Sequence, residues 1–183
     1  MTILTGWREQ YDRMLRSHKR LISLASGSSA SSDEAKDALF HFFQDAFHLR
    51  DWLYHDTDPG LRSKVAQDEL KYSAHSIIKT NPILQLCADL CNGTKHLQLD
   101  RAETGDMATG FATQSVRVQP PTLTLAASIP GATAQPANPA AQQQAVGFHH
   151  WSVESNQQTW DAVHLALRVV QTWDAWLKWK GLL

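Results

Sequence analysis

The sequence is short of the features that place a chain quickly. It has only two cysteines, Cys87 and Cys91, one helical turn apart. A disulfide across one turn would be strained because the two Cβ vectors run side by side, so buried thiols in a reducing, cytoplasmic setting are expected. No apolar run approaches the roughly 18 residues that a membrane-spanning helix needs. The opening Met1-Thr2-Ile3-Leu4-Thr5-Gly6-Trp7-Arg8 has no basic segment followed by an apolar stretch. Neither a secretory signal nor a membrane partner is therefore expected. A formal net charge of −1 excludes a global pull toward polyanions, leaving only local patches. A phosphate-binding glycine loop, a nucleophile elbow and a paired-histidine zinc motif are all missing, and neither cofactor nor metal is expected.

What is present is an ordinary globular balance, 43% hydrophobic and 19% charged, in a chain of 183 residues. That length suits one domain over 1–183 with a real core. Of seven tryptophans, Trp173, Trp176 and Trp179 crowd the C-terminal end, which makes that end a candidate core anchor or interface.

Hydrophobic periodicity predicts a mainly α fold, an irregular bundle of about five helices. The first helix is expected over Ile3 to Leu24, with Trp7, Tyr11, Met14, His18, Leu21 and Ala25 on one face and Arg8, Arg13, Arg16, Lys19 and Arg20 largely elsewhere. Ser26 to Ser32 reads as a flexible connector. The second helix, capped by Ser32 with Asp33 and Glu34 in its positive first turn, carries a stripe of Ala35, Leu39, Phe42, Ala46, Leu49 and Leu53. A third is expected over Ser63 to Lys79 on Ala66, Leu70, Ala74 and Ile77. Asn81-Pro82 then caps a fourth, with Ile83, Leu86, Cys87, Leu90, Thr94 and Leu97 on one side. After Asp100 the code changes. Phe111 to Val118, Thr122 to Ala127 and Val146 to Val153 read as strands. They make 105–155 a β-rich, hairpin-like insertion, with a low-complexity mobile loop at 128–145. The last helix is expected over Thr159 to Lys180, facing the core with Ala162, Leu165, Ala166, Val169, Trp173, Trp176 and Leu177.

His41, His48 and His55, seven apart, drift only about 20° per step and share a face roughly opposite the apolar stripe. Successive ones lie about 10 Å apart, too far to share a metal, so a solvated or oligomer-facing surface is the preferred account. His18, on the apolar face, reads as a hydrogen-bonded core histidine. Cys87, Cys91 and His96 fail as metal ligands because His96 points away from the cysteines' side. The most suggestive constellation is Gln85, Asp89, Asn92 and His96, whose offsets of four, three and four align them opposite the fourth helix's apolar stripe. A histidine oriented by an amide and a carboxylate can do acid–base work, with Lys95 adding positive charge nearby. The competing account is an exposed polar helix face.

The string Cys91-Asn92-Gly93-Thr94-Lys95-His96 resembles the signature of HEPN domains, small helical bundles found in many bacterial toxins and defence proteins. Their motif is an arginine, often followed by a polar residue such as asparagine, then a histidine with four to six residues between it and the arginine. Asn92 and His96 match the polar and histidine positions, and Cys91 stands where the arginine belongs. The resemblance covers roughly residues 35 to 100, including His48-Leu49-Arg50-Asp51-Trp52 on the preceding long helix. It implies metal-independent ribonuclease chemistry at a dimer face, with His96 as acid–base group, Asn92 positioning it, and Lys95 and Asp51 around them. Lys95 lacks the planar fork that holds a phosphate at two points. Without the arginine, the expectation is a HEPN-like module acting through protein or RNA contacts, self-association included, and weakly active or inactive as an enzyme. Two alternatives stand beside it: a metal-independent ribonuclease using His96, and a structural or assembly protein with a tryptophan-rich interface.

Overall fold

The computed structural model describes residues 6–25, 31–71, 73–95, 107–114, 148–155 and 157–183. The fold is mainly helical. Four long helices, α1 (Trp7–Ala25), α2 (Ser32–His55), α5 (Pro82–Lys95) and α6 (Ala162–Trp179), pack on one another. Two one-turn helices, α3 (Pro59–Arg62) and α4 (Ile77–Thr80), lie between α2 and α5. Strands β1 (Met107–Gln114), β2 (Phe148–Ser155) and β3 (Gln158–Asp161) form an antiparallel sheet in that order, before α6. The sheet joins the helical core through β2, whose Trp151 and Val153 are buried on one face while Glu154 is exposed, the alternation of a half-covered strand.

The phase predicted for α2 holds. Ala35, Leu39, Phe42, Ala46, Leu49 and Leu53 are all buried, with Phe43 and Phe47 widening the arc, whereas His41 and His55 are exposed and His48 is half-buried. Each buried leucine or phenylalanine among them contributes roughly 1.5–3 kcal/mol of transfer free energy. The cap is Ser31 rather than Ser32. Its hydroxyl accepts from Glu34 N while the Glu34 carboxylate accepts from Ser31 N, a full capping box. At the other end Arg62 donates to the carbonyls of Leu53, Tyr54 and Asp56, satisfying acceptors that α2 leaves open.

The single helix expected over Ser63 to Lys79 does not form. In its place stand α3, a 3-10 turn at Gln67–Glu69 and α4. The reason is local competition for backbone hydrogen bonds. The Asp58 carboxylate starts α3 by accepting from Gly60 N and Leu61 N, Glu69 reaches back to Ala66 N, and Ser76 starts α4 by accepting from Lys79 N. Ala66 and Ala74, half of the proposed stripe, are exposed, and Leu61, Val65, Leu70, Ile77 and Ile78 anchor the segment at irregular intervals instead.

Pro82 does open α5, and Asn81 Oδ1 accepts from Ile83 N at 3.0 Å and Leu84 N at 3.3 Å. The last helix starts at Ala162, not Thr159, because Gln158–Asp161 pairs with β2 as a third strand and the Asp161 carboxylate caps the helix at His164 N. Its predicted core face is buried except for Trp176, which is half-buried. β1 begins at Met107, ahead of the expected Phe111, and β2 runs past the expected Val153 to Ser155, while 115–118 and 146–147 of those expected strands lie outside the described residues. Ile3 at the expected start of the first helix, the proposed strand Thr122 to Ala127 and the loop 128–145 lie outside the described residues, as does most of the serine-rich connector. No helix among the described residues is long and apolar enough to cross a membrane.

Candidate functional site

The constellation predicted on α5 is not an open polar face. Asp89 is 0% exposed, Asn92 and Gln85 are half-buried, and Cys91 is fully buried. The helix is packed on more than one side, with Leu84 and Ala88 buried alongside the predicted stripe, so the face opposite that stripe is covered too. His96 and the side chain of Lys95 lie outside the described residues. Asp51 is placed on α2, ion-paired with Arg50, and lines a cavity of about 480 Å³ with Trp52, His55 and Asp56, to which α5 contributes nothing. The structure thus does not bring Asp51 together with Asn92 in that cavity. Cys87 and Cys91 are buried and not joined in a disulfide; burial, and secondarily Cys91, pushes the Cys87 thiol up, which holds it protonated and unreactive. Among the described residues no group of histidine, cysteine, aspartate or glutamate can hold a metal ion.

A different polar site forms where α1 packs antiparallel on α2. Its fixed point is Asp45, 8% exposed. Ser17 donates to Asp45 Oδ2 at 2.5 Å, and Arg13 Nε meets Oδ1 at 3.1 Å. The buried Gln10 amide donates to the Asp45 carbonyl oxygen at 2.8 Å. Three residues of α1 therefore hold one residue of α2, and the buried carboxylate is satisfied on both oxygens. Above this floor runs a groove of about 340 Å³ lined by Arg13 and Arg20 from α1 and by His41, Gln44 and His48 from α2. Arg13 keeps a side-chain exposure of 54% despite its ion pair, and Arg20 is exposed. Two guanidinium groups face one carboxylate already engaged from both sides, so the groove presents positive charge.

His41 and His48 share one face of α2, as their spacing of seven predicts. The missed element is the groove itself. Arg13 and Arg20 are visible in the sequence as residues off the apolar face of α1, but nothing local sets them against the α2 histidines. A faint signal was available, since both pairs repeat at seven residues and two such faces meet whenever the helices pack side by side.

His18 lies beyond the groove, its ring 5.5 Å from that of Phe42 between centroids. It is not the hydrogen-bonded core histidine expected. Its Nε2 is buried and finds no hydrogen-bond partner among the described residues, and burial lowers its pKa. No family model, curated protein or solved structure matches the chain.

Proposed function

We propose that the protein is a helical binding module whose α1–α2 groove takes the phosphate backbone of an RNA strand. The observation that carries this reading is the pairing of Arg13 and Arg20 over an internally satisfied Asp45, with His41 and His48 on the facing wall. The arginines sit seven residues apart, two helical turns or about 10 Å, a spacing suited to two positions along a polyanion rather than to one small anion. Arginine's planar fork binds phosphate at two points, and histidine adds a hydrogen-bond donor at neutral pH. The complete burial of Cys91, at the position where HEPN domains carry arginine, supports binding without cleavage.

Fluorescence anisotropy with labelled single-stranded RNA tests the reading. The parent should bind with a salt slope of about −0.7 for each phosphate neutralised. Arg20→Glu should weaken binding uniformly across sequences and flatten the slope by about 0.7. Equal binding by Arg20→Glu, or no binding by the parent at low salt, overturns the proposal. RNA cleavage that disappears in His96→Ala would instead favour the ribonuclease alternative.

A further inference from the structure

A second cavity, of about 450 Å³, opens where the start of α5 meets β3 and α6. It shares no lining residue with the α1–α2 groove. Trp160, on the edge strand β3, is half-buried, so part of its ring is held against the core and part stays open. Arg168 of α6 is exposed, and its guanidinium makes no ion pair among the described residues. Among the described residues no carboxylate lines the cavity, unlike the groove where Asp45 engages Arg13.

Two amides at the start of α5 also line the cavity, and each is half committed. Gln85 donates its Nε2 to the Lys79 carbonyl at 2.5 Å, which leaves Oε1 as an acceptor. Asn81 spends Oδ1 on the α5 cap, which leaves its NH₂ as a donor. The cavity therefore offers an aromatic face, an unneutralised planar cation, and one donor and one acceptor held in place by the helix start. That combination matches a planar heterocycle with a polar edge and an attached anion: stacking for the ring, amide contacts for the edge, a guanidinium fork for the phosphate. The volume lies within the roughly 300–1,000 Å³ of small-molecule sites.

We propose that this cavity binds a nucleoside monophosphate, with its base on Trp160, the base edge on Gln85 and Asn81, and its phosphate on Arg168. The proposal is independent of the RNA reading of the groove. Protein-observed NMR on the full isotope-labelled chain tests it, following the Trp160 indole resonance, which is assigned by its loss in Trp160→Phe. AMP, GMP, UMP, CMP and inorganic phosphate are titrated separately. At least one nucleotide should shift that resonance saturably below millimolar concentration, and inorganic phosphate should bind at least about tenfold more weakly. Arg168→Gln changes an exposed side chain, so the fold should stand while nucleotide affinity falls about tenfold. Arg20→Glu should leave nucleotide binding unchanged. The proposal is overturned if no nucleotide shifts the resonance at millimolar concentration, if Arg168→Gln binds like the parent, or if phosphate alone binds as tightly as the nucleotides.

Discussion

His18 rests on Phe42 with a buried Nε2 that has no partner among the described residues, so protonating it places a charge where nothing answers it. Its folded pKa lies below the ordinary histidine value because burial disfavours the cation. The unfolded chain then binds the proton more readily, and stability falls as pH drops. The contribution is fully present above the unfolded pKa of about 6.5 and is lost as pH falls from there through the folded pKa. Melting temperature followed across this window should decline toward acid in the parent and decline less in His18→Leu. Identical slopes would show that His18 is not the titrating group. At Gly6 the backbone is in the left-handed region, φ +120°, and an added Cβ would lie 2.7 Å from Asp56 Oδ2, the atom that accepts from Trp7 N. Gly6→Ala should therefore cost about 1–3 kcal/mol, read from chemical denaturation.

Among the elements, α2 and α6 show how helix ends depend on single side chains. Removing the Ser31 hydroxyl breaks the capping box at α2, and Ser31→Ala should lower stability by about 1 kcal/mol, seen as a lower denaturation midpoint at unchanged slope. The C-terminal end of α6 closes in a Schellman motif. Gly181, at φ +64°, donates to Lys178 O at 2.9 Å, and Leu182 N donates to Leu177 O at 2.9 Å, while the Leu182 side chain is buried. Arg8 then donates to the Leu182 carbonyl at 2.9 Å, so this turn also ties α6 to α1. These ends were partly legible. Asn81-Pro82 reads directly as a helix start because a cap acts within three residues. The segment from Asp58 to Thr80 was not legible as broken turns, because Asp58, Glu69 and Ser76 each had to win a backbone group from a continuous helix, a contest that residue periodicity does not record.

At the scale of the whole molecule, α6 packs on α1, α2, α5 and the sheet, and Trp173 is at its buried centre. Trp173→Ala should remove about 3–5 kcal/mol, a large part of the roughly 5–15 kcal/mol that holds a domain folded, and should lower the melting temperature sharply. Trp179 is the opposite case. It is 74% exposed, with Lys180 Nζ 4.3 Å from its ring centroid. Trp179→Ala should change stability by no more than about 0.5 kcal/mol. Sedimentation of the same variant checks the assembly alternative, which requires self-association that falls when this ring is removed. Three tryptophans that look equivalent in the sequence thus divide into core, boundary and surface, because steps of three along a helix turn each ring about 300° and so sweep them gradually off the buried face.

Features that act over short distances are legible in the residues alone: the helical phase of α2 and α6, the start of α5, the change to strands after residue 100, and the shared face of His41 and His48. These follow from one-turn side-chain contacts and from the match between apolar spacing and the helical repeat. Only the tertiary structure decided the rest. Whether a polar residue is buried depends on how many neighbours cover its helix, and α5 is covered where Asp89 lies, so Asp89 is interior although its spacing placed it on an open face. Pairing of Gln158–Asp161 with β2 turned an expected first turn of helix into an edge strand. The groove exists because Gln10, Arg13 and Ser17 on one helix reach a single carboxylate on another, 28 to 35 residues along the chain. A pairing across that separation is set by the packing of whole helix faces, and no local pattern in either helix encodes it.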